Sequence, residues 1–260
     1  MNKTIKLSKK VNKTIVQKGM AILLVIVMTV GVIPKNSVMS GMETVQAATL
    51  SNPRKSTDGT VTWDCVWFGS YPQSEVTNLT SAITGAAYDG NGDAVVNGTK
   101  YRRIQKSDAT YSSTSSSCYD WTTGGDSNGY HYFKYEPIKW RILSVNGDDA
   151  FLLADIVLDD QQYSKTYTSV TWEICTLRSF LNNQFLNSAF TASEQSAIYK
   201  TNVVNDDNPY YGTEGGNNTT DQVFLLSLSD ILNTDYGFSA VTDYDPARFA
   251  KTSDYAHAMG

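Results

Sequence analysis

Tyr130–Val145 reads YHYFKYEPIKWRILSV, the next four residues read Asn146-Gly147-Asp148-Asp149, and Ala150–Leu158 reads AFLLADIVL. Both flanks are dense in aromatic and β-branched residues, and the first alternates between apolar and polar positions. Alternation with a period of two gives a strand one buried face. An Asn-Gly step between such flanks turns the chain back on itself, because both residues tolerate positive φ. The stretch is therefore expected to be a β-hairpin, and it makes β-structure the core of the fold.

Outward from the hairpin, the same signals recur. Val61–Tyr71 (VTWDCVWFGSY) is aromatic and β-prone, and Pro72 is expected to end it. Ala86–Gln105 holds two more Asn-Gly steps, at 91–92 and 97–98, and is read as hairpin turns. Asp89, Asn91 and Asp93 also imitate the start of a calcium loop. The imitation fails further on, where Ala94 stands in place of the required Gly and Lys100 in place of the bidentate Glu, so calcium remains a weak candidate cofactor. Ser107–Asn128 is a polar loop with too little apolar content to build core.

Two helices are expected after the central hairpin. From about Glu173 to Asn187, Leu177, Phe180, Leu181 and Phe185 fall on one helical face. Thr191 followed by Glu194 forms a capping box that opens the second helix, with Ala197 and Ile198 facing the core. Asn202–Asp221 reads as a polar loop and Val223–Leu228 (VFLLSL) as a buried strand.

The amino terminus has another character. Lys3, Lys6, Lys9, Lys10, Lys13 and Lys18 precede an uncharged run, Met20–Ile33, and Pro34 follows; Val45-Gln46-Ala47 offers small residues for cleavage. That order is the pattern of an export signal over residues 1–47. The run of 14 residues is short for a membrane span, which needs about 20. Membrane contact is expected only through this segment if it stays uncleaved. Residues 48–62 are read as a linker or loose arm, and 63–260 as the domain.

The 260-residue chain holds 21 Lys and Arg against 26 Asp and Glu. Seven of those bases and one of those acids lie in residues 1–47, so the remainder keeps 14 against 25, a charge of about −11. Such a surface repels phosphate backbones, which argues against nucleic acid as a partner. Cys65, Cys118 and Cys175 are an odd set with no metal-binding spacing. A Cys65–Cys118 disulfide is one reading, and three simple small side chains the other.

No Gly-x-Ser-x-Gly elbow, His-Glu-x-x-His or phosphate loop occurs. His131 lies in the aromatic strand and is read as packed. No catalytic residue or resident cofactor is expected. Among five tryptophans, Trp140 and Trp172 are expected in the core, while Trp121, flanked by polar loop residues, is the candidate ligand contact.

Glu136-Pro137-Ile138-Lys139-Trp140-Arg141-Ile142-Leu143, Trp172-Glu173, Leu177-Arg178-Ser179-Phe180-Leu181-Asn182 and Asp221-Gln222-Val223-Phe224-Leu225-Leu226-Ser227-Leu228 together resemble a domain of unknown function. It recurs in secreted and surface proteins of Gram-positive bacteria. Val66-Trp67-Phe68-Gly69-Ser70-Tyr71-Pro72-Gln73 is similar to that family's opening. The resemblance covers residues 63–260 and implies an α+β, C-type-lectin-like fold, a twisted antiparallel sheet with two helices, akin to sulfatase-modifying factors. It carries no catalytic residues. The family pattern runs on past a Tyr-Ala-x-x-x-Gly segment, whereas Tyr255-Ala256-His257-Ala258-Met259-Gly260 is the last stretch here, so the closing strands are expected to be lacking.

These readings combine into a secreted or cell-surface, non-catalytic binding module for an extracellular glycan or protein. The alternatives are an extracellular glycan hydrolase using paired carboxylates, and an inactive truncated fragment.

Overall fold

A computed structural model describes residues 50–111 and 118–260, together with the backbone of 28–34. The expected leader otherwise lies outside the described residues. The architecture is mixed α and β, with one large antiparallel sheet and a few short helices.

The central hairpin forms as expected. Strand β7 (His131–Asn146) turns at residues 147–148 into β8 (Asp149–Ala154), pairing Trp140 with Ala154 and Asn146 with Asp149. At 16 residues β7 is long enough to take different partners along its length. Its first part pairs β6 (Thr99–Ile104), its last part β8, and β4 (Cys65–Glu75) runs along the other edge. Strand β5 (Asp93–Val96) extends the sheet beyond β6. The β5–β6 turn is the second Asn-Gly step, with Asn97 at φ 51° and Gly98 at φ 82°. Both residues in the left-handed region give the turn the twist of its flanking strands.

Pro72 does not end β4. The strand continues to Glu75, with register shifts between Trp67 and Ser70 and between Pro72 and Ser74. Among the described strands β4 pairs only with β7, and a proline is tolerated at an irregularity on such an edge. The expected loose arm is also tied down. Short strands β2 (Arg54–Lys55) and β3 (Val61–Thr62) pair, and Asp64 accepts from Ser51 N, Ser51 Oγ and Arg54 Nη2.

Helix α1 (Ser81–Thr84) is one turn before β5. After β8 and the two-residue β9 (Ile156–Val157), helix α2 comprises Thr176–Phe180, a π-helical turn Leu181–Phe185, and Leu186–Ala189. Leu177, Leu181 and Phe185 are its buried face. Helix α3 (Ala192–Ala197) opens on the predicted box: Glu194 N donates to Thr191 Oγ1 and Thr191 N to Glu194 Oε2. The polar segment after it closes at its ends, where β10 (Thr201–Val203) pairs β11 (Thr219–Asp221). Strand β12 (Val223–Leu225) is shorter than predicted, because Ser227 caps helix α4 (Leu228–Ile231). Strand β13 (Lys251–Thr252) pairs β9 in parallel, and helix α5 (Asp254–Met259) follows.

Strand β1 (Met28–Pro34) belongs to the run read as leader. It is antiparallel to both β8 and β12 and is the link between them. The sequence MTVGVIP is uncharged and rich in β-branched residues, which suits a buried strand as well as a leader.

The main core lies between the sheet and α2, α3 and α5. Trp140 and Phe133 are fully buried, and Trp172 is nearly so. Trp140 Nε1 donates to Phe68 O and Trp172 Nε1 to Asp221 Oδ2, so neither indole leaves its polar atom unpaired. A smaller cluster of Leu143, Leu153 and Phe238 packs on the opposite sheet face with Trp63.

Candidate functional site: a cleft above a buried arginine

Strand pairing places Arg102 on β6 directly opposite Asp93 on β5. Both are nearly buried, and they pair in bidentate fashion: Arg102 Nε to Asp93 Oδ1 at 2.7 Å and Nη2 to Oδ2 at 2.9 Å. Planar guanidinium and carboxylate match in this geometry, which is strong when water is excluded. Tyr135 Oη donates to the same carboxylate, and Lys100 Nζ lies 3.1 Å from Oδ2. Burial works to raise the Asp93 pKa, but the Arg102 hydrogen bonds and charge overcome it and hold the carboxyl below its ordinary value. Arg102 is shifted upward, since the Asp93 and tyrosine contacts outweigh the burial that opposes its charge.

Around this pair stand Tyr71, Tyr135 and Tyr255, each with its hydroxyl pKa raised, first of all by burial. Tyr71 Oη donates to Asp159 Oδ2 at 2.5 Å. Asp159 is buried, and burial pushes its carboxyl up to about 6 against the Tyr71 and Gln161 hydrogen bonds.

Above the pair opens a cleft of about 340 Å³. Its lining joins three parts of the chain: the 89–92 loop with Arg102, Arg103 and Ile104; Asp108 and Tyr130; and Tyr255 and Met259 of α5. The Arg103 guanidinium lies 4.5 Å from the Tyr88 ring and 4.2 Å from the Tyr130 ring, so two aromatic faces hold it. Tyr111, largely exposed, is tied to the end of α5, where Thr110 N and Tyr111 N both donate to Met259 O.

The calcium-like residues serve the turn. Asp89 Oδ1 accepts from Asn91 N and Asp93 N, while the Asp93 carboxylate is engaged by Arg102, Lys100 and Tyr135. Among the described residues no group of three or more His, Cys, Asp or Glu is placed to hold a metal ion.

Trp121 stands outside the cleft lining. It is half-buried, with its ring 4.8 Å from Tyr119 and 5.2 Å from His131. His131 is fully buried, with Nδ1 at 2.8 Å from Glu75 Oε1 and 2.6 Å from Tyr119 Oη, and Nε2 without a partner among the described residues. Cys65, Cys118 and Cys175 are all unpaired. Burial raises the thiol pKa of Cys65 and Cys175, which keeps both protonated and poor as nucleophiles. Sequence reasoning missed Arg102, Arg103, Tyr130 and Tyr255 as a group. The one available signal was the hairpin itself, whose turn at 97–98 sets Asp93 against Arg102.

Residues 147–258 match the model of a family described as "Domain of unknown function (DUF6273)". The match starts in the turn between β7 and β8 and ends in α5, so β4, β5, β6 and all of β7 lie outside it. Of the cleft lining it includes Tyr255 but not Arg102, Arg103 or Tyr130. No curated protein and no solved structure matches the chain. Among the described residues no helix is long and apolar enough to cross a membrane.

Proposed function

We propose that the chain is an extracellular, non-catalytic binding module of C-type-lectin-like architecture that holds a hydroxyl-rich glycan in the cleft above Arg102. The observation that carries this reading is the lining itself. Arg103 and Asn91 offer donors, Asp89 Oδ2 and Asp108 Oδ1 offer acceptors, and Tyr130 offers an aromatic face. Sugar rings have apolar faces that stack on aromatic rings and hydroxyls that bridge such mixed polar groups. Export follows from the basic leader and apolar run of residues 1–33.

The same lining favours holding over reaction. Asp89 Oδ1 is spent on two backbone N–H groups and Asp108 Oδ2 on Gln105 N. Asp159, whose raised pKa would suit an acid, does not line the cleft.

The test is a glycan array probed with the full chain and with the Arg103→Ala/Tyr130→Ala double variant, alongside thermal melts of both. The expected result is binding to one glycan class that the double variant loses by at least about tenfold, the loss of one arginine-type hydrogen bond and one stacking contact. Binding that survives the double substitution would move the site elsewhere. Capture of a protein with no glycan binding would replace the ligand class, and turnover of any array glycan would make the chain an enzyme.

A further inference from the structure

Strand β1 fills a place that the other described residues leave open. In its absence β8 and β12 are not neighbours, since among the described strands β1 alone links them in the sheet order. Register places position 30 between Leu152 and Val223, and position 29 between Leu153 and Phe224. Leu152 and Val223 are fully buried members of the main core. Strand β12 is held to α2 independently of β1: Asn182 Oδ1 accepts from Gln222 N and Val223 N, and Asn182 Nδ2 donates to Val223 O. Strand β8 is held by β7.

The segment in this slot comes from the run whose sequence marks it for removal at export. A chain beginning at residue 48 would keep both walls and lose the strand. It would then present the open edge of β8 over core leucine, with β12 flanking it, a template for strand addition.

We propose that the β8–β12 slot is a strand-accepting site, which in the exported protein takes an extended, uncharged apolar segment from another polypeptide, antiparallel to both walls and followed by a basic residue. Strand β1, which occupies the slot in this structure, defines that chemistry. It is seven residues long, uncharged and antiparallel to β8 and β12. Its last residue, Pro34, registers with Asp149, Asp148 lies next to that partner, and Lys35 follows Pro34 in the sequence. A second processed copy has lost the same segment, so the donor is a different chain. The proposal rests on the export reading of residues 1–47 and is independent of the glycan cleft.

The experiment folds the full chain with a specific protease site inserted between Ala47 and Ala48 and cuts it afterwards. A labelled peptide of residues 28–35 (MTVGVIPK) is the probe. The expected result is saturable binding to the cut protein, a melting temperature that rises with peptide concentration, and binding reduced at least tenfold by N-methylation at Thr29 and Val30 or by Val30→Asp in the peptide. Placing these changes in the peptide leaves the folding of the domain untouched. Absence of binding, or equal binding of the N-methylated peptide, would overturn the proposal. So would an exported chain whose mass shows residues 28–34 retained, because the slot is then filled by its own segment; that outcome faults the export reading while peptide binding still reports on the slot.

Discussion

Arg102 and Asp93 face each other across the β5–β6 ladder, joined by hydrogen bonds of 2.7 and 2.9 Å and shielded from water by the rings of Tyr71, Tyr135 and Tyr255. Arg102 lines the cleft, so the chemistry of the pair bears on both stability and site shape. Removing Arg102 takes the bidentate partner from a buried carboxylate that keeps only Lys100 and Tyr135, which costs about 2–3 kcal/mol. Arg102→Met is therefore expected to lower the unfolding free energy by about that amount in urea titration. Arg102→Met combined with Asp93→Leu is expected to recover much of the loss. If the double variant is no more stable than the single one, the two residues do not act as a pair.

The pH dependence has two opposing parts. Asp93 is held below its ordinary pKa of 3.8, so its contribution is complete above that pH and disappears as acid protonates it in the folded state. Asp159 behaves in the reverse sense. Its folded pKa is raised to about 6 from 3.8, so the folded state binds the proton more tightly and stability falls as pH rises from about 4 to about 6. Asp159→Asn keeps a carbonyl acceptor and cannot ionise. The expected outcome is a flatter stability curve between pH 4 and 7, with wild type losing relative to the variant across that interval. Parallel curves in thermal melts at several pH values would show that Asp159 stays charged throughout.

Much of the sheet was legible in the sequence because its signals are local. The alternation over 130–145 and the Asn-Gly steps at 97–98 and 146–147 specify strands and turns from neighbouring residues alone, and Thr191 with Glu194 specifies a helix start in the same way. The cleft was not legible. Arg102 and Asp93 meet through strand register, and Tyr255 joins them from more than 150 residues away, so their partnership is a tertiary property. Pro72 misled because its effect depends on whether the strand lies at an edge, which no local pattern reveals. Strand β1 was read as leader alone because an uncharged β-branched run satisfies both roles.

The turn at Asn97-Gly98 gives a test of backbone conformation isolated from packing. Gly98 has φ 82°, and a Cβ built there meets nothing within 4 Å. Any cost of Gly98→Ala is therefore the cost of holding an L-residue in the left-handed region, about 1 kcal/mol. A loss of that size in chemical denaturation, with the fold retained by circular dichroism, is the expected result. A loss above about 3 kcal/mol would mean that the side chain collides with something or that the turn rearranges.

Asn182 offers the sharpest separation of β12 from the rest of the sheet. It lies in the π-helical turn of α2, where the widened spiral carries its amide to the strand edge. Its carbonyl takes the N–H groups of Gln222 and Val223, and its amide nitrogen donates to Val223 O at 2.8 Å. Val223 is fully buried, so water cannot replace these bonds without opening the core. Asn182→Ala leaves two backbone donors and one acceptor unmet, and is expected to cost about 2–3 kcal/mol. Amide exchange should locate that cost. Protection at Gln222 and Val223 is expected to fall first, while the amides of β7 and β8, paired with each other, keep theirs. Uniform loss across the sheet would instead make α2, β12 and the central hairpin a single cooperative unit.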